Sequence, residues 1–156
     1  MEKIIPAALE LEQRGIPYRL FEHSQPPESL EDAARQRGQL PGQVVRSILF
    51  RLAEAHFVMV LMAGPGQISW KSIRSALGVS RITMASEAEV LSVTGFVRGA
   101  VTPLGLPHPL RILADVSVFV PEELSIGSGV RGVAIILKST DLQGALHQVE
   151  IGNFAV

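Results

Sequence analysis

The 156-residue chain contains no cysteine. That absence removes disulfides, thiolate metal sites and a cysteine nucleophile together, and leaves the compartment open. Aromatic residues are scarce as well, at 5% with one Trp and one Tyr, whereas a protein that stacks nucleic-acid bases on its surface carries more. Neither sign of charge dominates: 14 Lys and Arg face 15 Asp and Glu, for a formal net charge of −1. Any contact with a polyanion therefore has to come from a local patch. No apolar run approaches the ~20 residues needed to span a bilayer. The segment Met1–Pro6 has no signal-peptide profile, so a cytoplasmic protein without membrane contact is the expectation.

Familiar catalytic signatures are missing too. There is no G-x-S-x-G elbow and no P-loop. The four histidines (His23, His56, His108 and His147) lie too far apart in sequence to suggest a metal site. Gly127-Ser128-Gly129-Val130-Arg131-Gly132 matches G-x-G-x-x-G to the letter. The dinucleotide fingerprint needs a helix directly after it, and Val133 to Leu137 reads as a strand.

What is present is 47% apolar and 19% charged residues, the profile of a packed globular protein. The length suits one domain over 1–156, burying about 68–70% of its unfolded surface. Pro6 and Gly15 bracket a short amphipathic helix on Ile4, Ala8 and Leu11. Tyr18 to His23 alternates like a strand, which Pro26-Pro27 ends. Ser29 with Asp32 opens a helix that Gly38 closes. Val44 to Phe50 and His56 to Met62 are apolar runs of strand length, close enough to form a hairpin. After the Gly64-Pro65-Gly66 turn, Lys71 to Leu77 reads as a helix stopped by Gly78, and Arg81 to Met84 as a strand. Ser86 with Glu89 caps a further helix running to Val93. Leu110 to Asp115 and Val133 to Leu137 are strands, Thr140-Asp141 starts a last helix, and a loose tail begins near Gln148. Regular βαβα alternation is missing, which argues for a mixed α+β domain rather than a doubly wound sheet.

Two features resist a purely architectural reading. Thr94 to Gly105 packs three glycines and a proline between apolar residues, a shaped loop with amides free for a ligand. It could equally be a tight link between buried strands. Arg46 puts a cation at the start of a buried strand, which suits a ligand contact or a snorkelling edge residue.

Three segments together resemble the YbaK family, relatives of the editing domain inserted in bacterial prolyl-tRNA synthetases. They are Val44–Leu49, Thr94–Gly105 with its Gly99-to-Pro103 spacing, and Gly127–Gly132 running on to Thr140-Asp141-Leu142. The resemblance implies a compact domain with a mixed, barrel-like β-sheet surrounded by short helices. It also implies a trans-acting hydrolase for the ester of mischarged tRNA, typically tRNA(Pro) carrying Ala or Cys, with no cofactor and no metal. The implied partners are aminoacyl-tRNA and a prolyl-tRNA synthetase. Carried over by position, Arg46, Gly99 and Asp141 are the catalytic candidates, and Phe21, Ala100, Val101, Thr102, Pro103 and Ala134 the substrate-binding ones. The family usually has Lys at Arg46, often Tyr at Phe21, and Ser or Asp at Ala134. Arg keeps the charge but cannot transfer a proton near neutral pH. A member that binds tRNA, a synthetase or a small ligand without turnover is therefore the alternative reading.

Overall fold

The strand His56–Ala63 sets the architecture, because its side chains are buried on both faces. Val58, Val60 and Met62 enter one apolar cluster, Met59 and Leu61 another. Such a strand has to lie inside a sheet with layers above and below it. The computed structural model, which describes residues 4–156, places it there. In chain order the strands are β1 (Arg19–Glu22), β2 (Val45–Ala53), β3 (His56–Ala63), β4 (Thr83–Met84), β5 (Arg111–Asp115), β6 (Glu123–Gly127), β7 (Val133–Lys138) and β8 (Glu150–Gly152). They form a five-stranded sheet of order β4-β2-β3-β5-β8 and a three-stranded sheet of order β1-β7-β6. β2 and β3 make the expected antiparallel hairpin, whereas β3, β5 and β8 run parallel.

The larger cluster fills the space between the two sheets, with Leu49, Met59, Leu61 and Ile112 facing Leu124, Ile126, Ile135 and Leu137. The smaller one covers the other face of the five-stranded sheet and includes Phe50, Val60, Met62, Ile73 and Phe154. The sheets touch through one parallel bridge, Val44 to Ser125, and remain otherwise open. A mixed α+β fold is thus present, but the expected barrel-like sheet does not close into a barrel.

The helices are α1 (Pro6–Gln13), α2 (Leu30–Arg37), α3 (Trp70–Leu77), α4 (Glu87–Thr94) and α5 (Ser139–Ala145). Their limits follow local chemistry. The Ser29 side chain accepts from the Asp32 amide, Ser86 and Glu89 cap each other reciprocally, and α2, α3 and α4 each end on a left-handed glycine. Among the described residues no helix is long and apolar enough to cross a membrane. The leader reading of Met1–Pro6 rests partly on residues 1–3, which lie outside the described residues.

Four expectations need correction. Ile4 is exposed and precedes α1, whose buried residues are Ala7, Ala8 and Leu11. The Arg81–Met84 strand shrinks to Thr83–Met84, held only by Phe50 and Arg51. β6 was not expected at all. The tail is not loose: β8 pairs with β5, and Phe154 is 4% exposed in the smaller cluster.

Asp115 anchors that tail. Its carboxylate accepts from the Ser117 amide at 3.0 Å and from the Phe154 amide at 2.7 Å. Burial is the largest influence and on its own would raise the Asp115 carboxyl. Donors from Ser117, Phe154 and Ala155 together outweigh it and hold the group below the ordinary aspartate range. A folded-state value below the unfolded one stabilises the fold above the unfolded pKa, near 4, and that stabilisation is lost as pH falls through the folded value. Asp115→Asn is expected to cost about 1–3 kcal/mol at pH 7 in urea unfolding. The parent should approach the variant as the pH drops below about 4; a constant gap across pH 3–7 would contradict this account.

Candidate functional site

The strand register brings several of the sequence candidates into one row. Phe21 of β1 lies opposite Ala134 of β7, and Ala134 lies opposite Gly127 of β6. Residues paired across strands share a face. The Val44–Ser125 bridge is parallel, so Arg46 and Gly127 each stand two residues beyond it, on one face. Arg46 in turn pairs with Met62. The row therefore reads Phe21, Ala134, Gly127, Arg46, Met62 across the seam between the sheets.

The Thr94–Gly105 loop lies over this row at Gly127. A Cβ on Gly127 would stand 2.2 Å from the Val101 carbonyl oxygen and 3.2 Å from that of Ala100. Only a residue without a side chain lets the loop approach so closely. The loop is fixed internally as well. Ala100 donates its amide to the Val97 carbonyl at 3.0 Å and accepts from the Gly129 amide at 2.9 Å. Buried Thr102 takes the Leu104 amide on its hydroxyl at 3.3 Å. The free-amide expectation is therefore too broad, since the Ala100 N–H is already used. The amides of Gly99, Val101 and Thr102 have no acceptor among the described residues, and Pro103 has no N–H to offer.

Arg46 is half-buried and unpaired with any carboxylate among the described residues. One guanidinium nitrogen donates to the Gly66 carbonyl, while Nε is buried and has no acceptor among the described residues. Burial pushes the guanidinium down from the usual arginine range, yet arginine stays charged at neutral pH. The site thus holds a cation with hydrogen-bonding capacity to spare.

Three further groups border the row that residue types alone did not single out. Arg131 donates to the Arg98 carbonyl at 2.9 Å, and its Nε would stand 3.9 Å from a Cβ on Gly99. Its one sequence signal was the turn Gly129-Val130-Arg131-Gly132. Arg37, at the end of α2, donates to His23 Nε2 at 3.0 Å and to Ser125 Oγ at 2.9 Å. His23 Nε2 must then accept, so the proton belongs on Nδ1, which faces Gln36 Oε1 at 2.8 Å. The His23 ring also meets Phe21 edge-to-face, with centroids 4.9 Å apart. Burial pushes Arg37 down as well.

Asp141 is not brought into this group. Ala134 lies near one end of β7, whereas Asp141 is in the first turn of α5 beyond the other end. At ~3.3 Å per residue, the strand from Ala134 to Lys138 runs ~13 Å before α5 begins. A place at a helix N-terminus accounts for its charge. Three surface cavities form away from the row; Pro103 borders one, and Arg46 and Gly99 border none of the three.

Comparison with known proteins bears on the family and the fold. The family model for the aminoacyl-tRNA editing domain matches residues 25–145. A multifunctional Ser/Thr-tRNA deacylase, ProXp-y, of Escherichia coli K12 is 28% identical over 92% of this chain and 87% of its own length. A proline–tRNA ligase of Bacillus licheniformis is 31% identical over 62% of this chain, which spans only 17% of that enzyme. A solved structure described as a proposed trans-editing enzyme for prolyl tRNA synthetase superposes with a TM-score of 0.86 over 99% of both chains, at 23% identity. At that identity it shows the shared fold.

Proposed function

Because the chain belongs to the aminoacyl-tRNA editing domain family, we propose that it hydrolyses the ester of mischarged tRNA in trans, with the Arg46–Gly127 row as its active site. An aminoacyl ester is already activated, so the protein need not supply a nucleophile. The exposed Gly99 amide and the half-buried Val101 amide bind the carbonyl oxygen and stabilise the negative charge that develops on it. A water held beside them attacks the carbonyl carbon. The ribose oxygen then leaves with a proton, giving free amino acid and uncharged tRNA. Arg46 supplies positive charge for the terminal phosphate or the ester carbonyl, and Arg131 borders the same loop. The observation that carries this reading is the close approach of the loop to Gly127 in the row that also holds Arg46.

The proposed substrate is tRNA(Pro) carrying Ala or Cys. Phe21, Ala134 and Met62 offer the amino-acid side chain an apolar wall without hydroxyls. The name of the E. coli relative favours a second reading, Ser or Thr esters, and an apolar wall rejects an added hydroxyl only weakly. A prolyl-tRNA synthetase is the proposed partner for tRNA delivery.

The test is to follow ester loss from tRNA(Pro) charged separately with Ala, Cys, Ser, Thr and Pro. Ala or Cys esters are expected to disappear fastest and the Pro ester to persist. Faster loss of the Ser or Thr ester would select the second reading. Gel-shift binding with no ester lost above the uncatalysed rate would replace the hydrolase with a non-catalytic binder.

A further inference from the structure

The loop that covers Gly127 is braced from outside by α1, which precedes the 25–145 segment matched by the family model. Pro6 stands against the end of the loop at Gly105 and against the β6–β7 turn at Gly129. A Cβ on Gly105 would lie 2.6 Å from the Pro6 carbonyl, and one on Gly129 would lie 3.1 Å from the Pro6 ring. Ala7 donates its amide to the Ser128 carbonyl at 3.2 Å. One turn further on, the Glu10 carboxylate accepts the Gly105 amide at 2.7 Å. Its second oxygen takes the Arg14 Nε–H at 2.8 Å, and Arg14 reaches His147 at 2.6 Å. Gly105 has φ +71°, so its amide is presented to Glu10 from a left-handed turn that a side chain would strain.

We propose that Glu10 is a positioning residue for deacylation: through the Gly105 amide its carboxylate fixes the outer end of the loop whose amides meet the ester carbonyl. The proposal rests on the oxyanion reading given above. The physical case is that the loop has two anchors of different kinds. Its inner side is held by packing and main-chain bonds at Gly127 and Gly129. Its outer end is held by a charge-assisted hydrogen bond, stronger than a neutral one and directed by the rigid helix behind it. Arg14 keeps the carboxylate in place, so Glu10 cannot swing away without breaking an ion pair. Oxyanion donors work only when they are pre-positioned, and displacement by about 1 Å costs a rate on the order of 100-fold.

The experiment compares the full chain with Glu10→Ala and Glu10→Gln. It reads single-residue hydrogen exchange, thermal unfolding, and kcat and KM on mischarged tRNA. Glu10→Ala is expected to speed exchange at Gly105 and back toward Gly99, and to lower kcat about 10- to 100-fold with KM near the parent. Glu10→Gln keeps an oxygen acceptor of the same reach but loses the charge and the Arg14 ion pair, and is expected to recover kcat and exchange in part. If the alanine variant does not fold, Glu10→Asp, which withdraws the acceptor by one methylene, gives the same comparison. Unchanged exchange at Gly105 overturns the tether. Faster exchange with unchanged kcat overturns the positioning role, and a glutamine variant as impaired as alanine shows that the acceptor is not what matters. Should the parent hydrolyse none of the esters, the proposed function falls, and the exchange data alone decide whether Glu10 holds the loop.

Discussion

Gly127→Ala is expected to remove deacylation and to destabilise the fold by about 1–3 kcal/mol, the usual cost of forcing extra atoms into a packed site. The added methyl carbon would stand 2.2 Å from a main-chain oxygen of the loop, a contact that no rotamer change relieves. Gly127 lacks the positive φ that nine other glycines here adopt, so the penalty is steric and not conformational. Either β6 or the loop has to retreat, and retreat of the loop shifts its amides from where they lie over Gly127. For a chain of this size the cost corresponds to a fall in Tm of about 2–4 °C per kcal/mol. Gly144→Ala is the matched control, because that glycine has open space around it and no positive φ. It should be neutral or stabilising by about 0.4–1 kcal/mol, with activity retained. Equal Tm and activity in both variants would show that the loop does not rest on Gly127.

Arg46→Ala should reduce ester hydrolysis on the order of 100- to 1,000-fold, the range seen when one pre-positioned donor to a developing charge is lost. Its Tm should change little, since the half-buried guanidinium gives one hydrogen bond to Gly66 and leaves Nε unsatisfied. Arg46→Lys restores a cation on a shorter, more flexible stem and should recover most of the rate. The comparison separates charge from proton transfer. An electrostatic role predicts recovery by lysine and no rate change across pH 6–9 from this residue in the parent, because arginine does not titrate there. If Arg46→Ala hydrolyses ester at the parental rate, the row is not the active site.

Much of this fold was legible because short-range rules dictated it. Ser29, Ser86, Gly38, Gly78 and Gly95 mark helix ends through contacts spanning three or four residues, and those contacts are present. The two-sided burial of β3 was equally visible as an unbroken apolar run. β6 escaped because its middle residue, Ser125, is polar yet fully buried. It is held there by Arg37 and Gln39, more than 80 residues earlier in the chain. The tail misled for a similar reason: Asp115, not any local signal, ties down Phe154.

The site was half legible. Arg46 stood out as a cation in a buried strand, Phe21 and Ala134 were named through a family resemblance, and their common row depends on strand pairing that one sequence cannot reveal. The amide of Ala100 looked free because its partner, Val97, sits in a turn with no recognisable motif. Asp141 matched by position in the chain but lies past the far end of β7, where a strand's length outweighs closeness in sequence.

Phe21 and Ala134 face each other across more than a hundred intervening residues, and Val44 meets Ser125 over a comparable span. Pairings so remote carry the largest loop-closure cost and place a chain among the slower folders, on the scale of milliseconds to seconds. The β2–β3 hairpin, by contrast, can zip up locally. Catalytic competence should therefore appear late in refolding, after most secondary structure is in place, and a stopped-flow trace should show ellipticity returning well before hydrolytic activity does.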